Sequence, residues 1–171
     1  MNFSIERDVP FNGLENTSIK EAWFIQYRPA IRTIITSGNQ DIFLCACTLC
    51  VPWMDGCYAI DNFGYDTFRH NPTSLSREYG AKDIVKFIFF NNEGGTPSEK
   101  HVKLLATFYN SLKHGGFLRP GQKVAGLPIL ITNIALVNEL GQISMNQWVE
   151  RATNRIDQLL VDATFEEKAK Q

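Results

Sequence analysis

The segment that most constrains this chain is Ile42-Phe43-Leu44-Cys45-Ala46-Cys47-Thr48-Leu49-Cys50-Val51, followed by Pro52-Trp53-Met54. It carries no charge and is apolar at both parities, since Phe43, Cys45, Cys47, Leu49 and Val51 alternate with Ile42, Leu44, Ala46, Thr48 and Cys50. A strand of this kind has no water-facing side. It must be covered on both faces, as happens to a central strand under helices or to a short buried helix. The rest of the chain therefore has to wrap it.

A chain of 171 residues can do so within one domain, burying roughly 70% of the surface that the unfolded chain exposes. A hydrophobic content of 44% with twelve Phe residues excludes a disordered or collagen-like chain. Net charge is −1, with 7 basic and 10 acidic side chains in residues 1–85 and no run of Lys and Arg anywhere. Counterion release from phosphates needs a basic patch, so nucleic acid is not the expected partner. Residues 1–8 carry charge where a signal peptide would be apolar, and the uncharged run 42–54 is too short to span a bilayer. The expectation is a cytoplasmic protein with no membrane partner, in which Cys45, Cys47, Cys50 and Cys57 are reduced thiols.

Residues 1–16 read as an irregular N-terminal segment with at most a short strand at 3–6. Ser18-Ile19-Lys20-Glu21 has capping-box spacing and starts a helix that carries Ile19, Trp23, Tyr27 (or Gln26), Ala30, Ile31 and Ile34 on one face and stops at Gly38. Pro29 predicts a kink near Tyr27 and Arg28 or two half-helices. The rival is a hairpin pairing 30–36 with 42–49. Residues 55–76 show no helical period and read as a long loop with one short strand near 58–61; loops of that length tend to be functional. Residues 83–90 are dense in β-branched and aromatic side chains and read as a strand beside 42–51. Thr96-Pro97 and Glu99 open a helix over 97–114, closed by Gly115-Gly116. The run 129–137 is a strand at least in its first half. Ser144 caps a last helix reaching about Phe165, with a frayed tail over 166–171. This order predicts an α+β single domain over 1–171, a mixed β-sheet with helices packed on it. The alternative is an all-α bundle in which 42–51, 84–90 and 129–137 are buried apolar helices.

Candidate chemistry is sparse. The spacing C-x-C-x2-C-x6-C of Cys45, Cys47, Cys50 and Cys57 matches no strong zinc pattern, and apolar neighbours make these residues packing groups first and metal ligands second. Cys57 follows Asp55-Gly56 in the expected loop, where a nucleophile could be presented, and His70 or His114 would have to serve as its base. His101 reads as an exposed helix residue. Gly94-Gly95-Thr96 could hold an anion at a helix start, but no P-loop or dinucleotide motif accompanies it. Leu140-Gly141-Gln142-Ile143-Ser144 is one residue too long for a helix-turn-helix elbow. No cofactor is implied. The stretch 53–70 interleaves Trp53, Tyr58, Phe63, Tyr65 and Phe68 with Asp55, Arg69 and His70, a mixture typical of recognition surfaces. The functional expectation is therefore a non-enzymatic interaction protein that binds a protein partner or self-assembles, with a homo-oligomer as one outcome. The alternative is a small cysteine-dependent hydrolase using Cys57.

Overall fold

The computed structural model describes residues 18–39, 42–70, 78–90, 97–113 and 144–169, together with the backbone of short strands between 123 and 143. Helices account for the body of the molecule. Helix α1 runs over 19–36, as Ile19–Glu21, a π-helical segment Ala22–Tyr27 and Arg28–Thr36. It is followed by α2 (Phe43–Phe63), α3 (Tyr65–His70), α4 (Ala81–Phe89), α5 (Glu99–Lys113), α6 (Met145–Val161) and α7 (Ala163–Lys168).

The expected mixed sheet is overturned, and with it the α+β assignment. The apolar segment at 42–51 is the first half of α2, and 83–90 falls in α4. Lys123–Val124 pairs with Leu127–Pro128, and Leu130–Ile131, Ala135–Asn138 and Gly141–Ser144 pair in series. These ladders of two to four residues are no platform for helices. The run 129–137 is described only as backbone, at Leu130–Ile131 and Ala135–Asn138.

The bundle is built around α2, which packs most extensively on α6 and also on α1, α4, α5 and α7. Its buried residues, Ala46, Cys47, Cys50, Val51, Met54, Cys57 and Ile60, recur at three and four residue steps straight through Pro52. That is the helical stripe. Pro52 removes one ladder bond, a cost of about 3 kcal/mol, and the packing on both sides of it outweighs that loss. Among the described residues α2 is the one helix long and apolar enough to cross a membrane. Both of its carboxylates are paired to other helices, Asp55 to Lys113 at 2.7 Å and Asp61 to Lys168 at 2.9 Å.

Helix α4 buries Ile84, Val85, Ile88 and Phe89 and exposes Lys82, Asp83 and Lys86. Asp83 accepts from the Gly80 amide at 2.9 Å, which caps its start. A β-rich composition yields here to a helical period, because strand propensity is largely a measure of context.

Both serine caps are present. The Ser18 hydroxyl accepts from Glu21 N while Glu21 accepts from Ser18 N, and Ser144 Oγ accepts from Gln147 N. The last long helix ends at Val161. Asp162 then caps α7 by accepting from Thr164 N and Phe165 N. Residues 166–168 are thus helical, not frayed, and Lys168 Nζ donates to the Asp61 carbonyl at 2.7 Å. The irregular segment 1–16, the Gly94-Gly95-Thr96 turn, His114, Gly115-Gly116 and residues 170–171 lie outside the described residues.

Candidate functional site

The stretch 53–70 is not a loop. It is the second half of α2 and all of α3, broken only at Gly64, whose φ of 80° turns the chain. Its aromatic side chains face the bundle. The Trp53 ring lies 4.9 Å from Trp23 and 5.1 Å from Tyr27; Tyr58 sits against Tyr79 and Phe87; Phe63 stacks on Tyr79 at 5.9 Å. Tyr65 and Phe68 pack against the core. The rings pin α2 and α3 in place, and only Arg69 and His70 of the expected contact set are exposed.

Nor are the thiols presented. Cys47, Cys50 and Cys57 are buried and Cys45 is exposed, and all four are free. Burial pushes the Cys57 thiol up to about 12, with Asp61 adding to the rise and Arg155 opposing it. Cys50 is likewise raised to about 12, and Cys47 is raised as well, each by burial first. A neutral, sealed thiol lacks the thiolate a nucleophile needs, so Cys57 is not presented to solvent as the expected loop would have presented it. His114 lies outside the description. Among the described residues no three His, Cys, Asp or Glu side chains gather as a metal site.

Asp55 does join a polar cluster. Its Oδ2 is 2.7 Å from Lys113 Nζ, and that ammonium lies 5.8 Å over the Tyr109 ring. Asp55 Oδ1 and the Tyr109 hydroxyl are both sealed, and among the described residues neither makes a hydrogen bond of good geometry, although the carboxylate lies close enough to act on the phenol. Burial and the nearby Asp55 carboxylate raise the Tyr109 phenol strongly, and burial, Asp55 and Tyr58 raise Tyr79. These groups tie α2 to α5. Tyr109 is buried within the bundle, Asp55 is half-buried and Lys113 lies at the surface.

The surface that sequence reasoning missed is on α1. Among the described residues four large hydrophobic side chains are exposed, and three of them, Phe24 (37%), Ile25 (70%) and Tyr27 (37%), lie in the π-helical segment. Trp23, fully buried, anchors that segment by donating its indole N–H to Asp157 Oδ1 at 2.6 Å, while Arg28 Nε reaches Asp157 Oδ2 at 3.0 Å. The Arg28 amide donates back to the Trp23 carbonyl, five residues away, and this wider turn carries the chain into Pro29 without a break. π-helical turns are found disproportionately at functional positions. A groove of about 550 Å³ runs beside the segment. Phe24, Arg28, Arg32 and Ile35 form one wall at helical spacing, and Asn146 and Glu150 of α6 form the other. The clue in the sequence was the excess of aromatic and β-branched residues around Trp23, more than one buried stripe can use.

Among the described residues, fold and surface thus define a helical bundle with an aromatic-edged groove beside α1. No family model matches the chain, nor does any curated protein sequence or solved structure.

Proposed function

We propose that this is a non-enzymatic, cytoplasmic interaction protein that binds a protein partner through the π-helical segment of α1 and the groove beside it. The observation that carries the reading is the concentration of exposed Phe24, Ile25 and Tyr27 in one turn that is itself held rigid by Trp23 and Asp157. Rigid aromatic anchors beside a groove between two helices suit an amphipathic helix laid into it. Arg28 Nε is already held by Asp157 at 3.0 Å, so Arg32 is the guanidinium this wall offers a partner, beside the carboxylate of Glu150. A partner helix with an acidic residue placed over Arg32, beside its apolar stripe, suits this wall.

The test is a peptide-display selection on the whole protein, with affinities of the enriched peptides read by fluorescence anisotropy. Acidic amphipathic helices are expected to be enriched, and Ile25→Asp with Arg32→Glu should weaken them at least tenfold, about 1.4 kcal/mol, with little change in Tm. Enrichment that survives both substitutions, or that is abolished by Arg69→Ala and His70→Ala, places the contact surface elsewhere. Sedimentation of the protein alone reads self-assembly at the same face as a dimer that Ile25→Asp dissociates.

A further inference from the structure

The outer side of α1 carries its charges in a particular order. Glu21, Ile25, Pro29 and Arg32 are all exposed and succeed one another down the helix, with Ile25 the most open of them at 70%. This side is acidic at its start, apolar in its middle and basic at its end. Glu21 Oε2 accepts from the Ser18 amide at 2.9 Å, which occupies one carboxylate oxygen and neutralises no charge. Among the described residues neither Glu21 nor Arg32 makes an ion pair, and Glu150 across the groove does not reach Arg32. The neighbouring cations are placed elsewhere: Arg28 is held by Asp157, and Lys20 lines a separate cavity with Ile19, Tyr65 and Phe165.

A surface that pairs with itself across a twofold axis must complement its own rotated copy, so that residue i meets j while j meets i. Glu21 and Arg32 are equidistant along the chain from the junction of Gln26 and Tyr27. An axis crossing α1 at that junction runs two copies of the helix antiparallel and sets each Glu21 carboxylate opposite the Arg32 guanidinium of the other copy. Ile25 and Phe24 of each then come to lie beside Pro29 of the other. A parallel pair would instead oppose Glu21 to Glu21 and Arg32 to Arg32, and like charges set face to face reject that register. We propose that the helix received by the α1 face is α1 of a second copy, in an antiparallel twofold pair closed at both ends by Glu21 and Arg32. The inference rests on the reading of α1 as the contact surface, since α1 is itself a helix with a carboxylate beside exposed apolar side chains, which is the partner that Arg32 suits.

Sedimentation equilibrium of the full chain tests the pairing. A monomer–dimer equilibrium is expected, weakening as salt is raised because the closing charges are exposed. Glu21→Lys and Arg32→Glu each put two like-charge contacts into the dimer, and each should raise its dissociation constant at least tenfold. In a mixed dimer of the two variants both contacts are again between opposite charges. A one-to-one mixture should therefore dimerise to within about threefold of the unaltered protein, although neither variant does so alone. Glu21→Lys also removes half of the cap at Ser18, so its Tm is measured alongside, and the mixture contains that same variant. A protein that stays monomeric at every concentration, a dimer indifferent to both substitutions, or a mixture no tighter than its two components would overturn the pairing. Acidic helical peptides that still bind the α1 groove in those cases leave the groove reading in place; loss of peptide binding and pairing together removes both.

Discussion

At the scale of single residues, the cysteines show how environment decides chemistry. Cys45 and Cys47 are two positions apart on α2, yet one faces water and the other lies 3.9 Å from the Met145 carbonyl at the start of α6. A thiol reacts as its thiolate, so exposure and pKa together set its rate. Iodoacetamide at pH 7.5 on the native protein should therefore label Cys45 and leave Cys47, Cys50 and Cys57 unmodified, with all four labelled in urea. Peptide mass mapping reads the outcome, and rapid native labelling of Cys57 would restore the hydrolase alternative.

At the scale of elements, α1 depends on a contact 134 residues distant in sequence. Asp157 of α6 accepts from Trp23 and from Arg28 at once and holds the π-helical segment to the bundle. Asp157→Ala strands the buried Trp23 N–H and should cost about 1–3 kcal/mol in urea unfolding, with hydrogen exchange of 22–28 accelerated before that of α2. Loss confined to α6 would mean that the segment is held by its own packing. The same scale explains the misreading of α2 and α4. Stopping at Pro52 leaves a ten-residue window, too short to separate a strand from a helix. Carried on to Met54, Cys57 and Ile60, the helical spacing is plain. In α4 the pairs Ile84-Val85 and Ile88-Phe89, with Asp83 as the cap, already had a helical period that composition masked.

For the whole molecule, the buried acids set an alkaline limit. Cys47, Cys50, Cys57 and Tyr109 are all raised above their ordinary values of 9.0 for the thiols and 10.0 for the phenol. A folded-state pKa above the unfolded one means that the folded state holds the proton longer, so stability is full below pH 9 and falls as pH rises through the folded values. Urea midpoints should be flat from pH 7 to pH 8.5 and should drop between pH 9 and pH 12, with tyrosinate absorbance from Tyr109 appearing only on unfolding. A flat stability profile up to pH 12 would show that these groups are solvated.

Some of this protein is written locally in its sequence, and the rest is settled by contacts between distant segments. Ser18, Ser144 and the α5 stripe of Val102, Leu105, Phe108 and Leu112 are legible because a cap or a helical face involves residues three or four apart. That 42–51 must be buried was equally legible, since uncharged apolar surface on every side can only be covered. What covers it was not: helix and strand bury such a segment equally well, and the choice fell to helices α1, α4, α5, α6 and α7 packing on it. Those same partners turned Trp53, Tyr58, Phe63, Tyr65 and Phe68 inward and left Phe24, Ile25 and Tyr27 facing water. Ring composition is alike in both groups. Only the three-dimensional packing determines which of them meets the solvent.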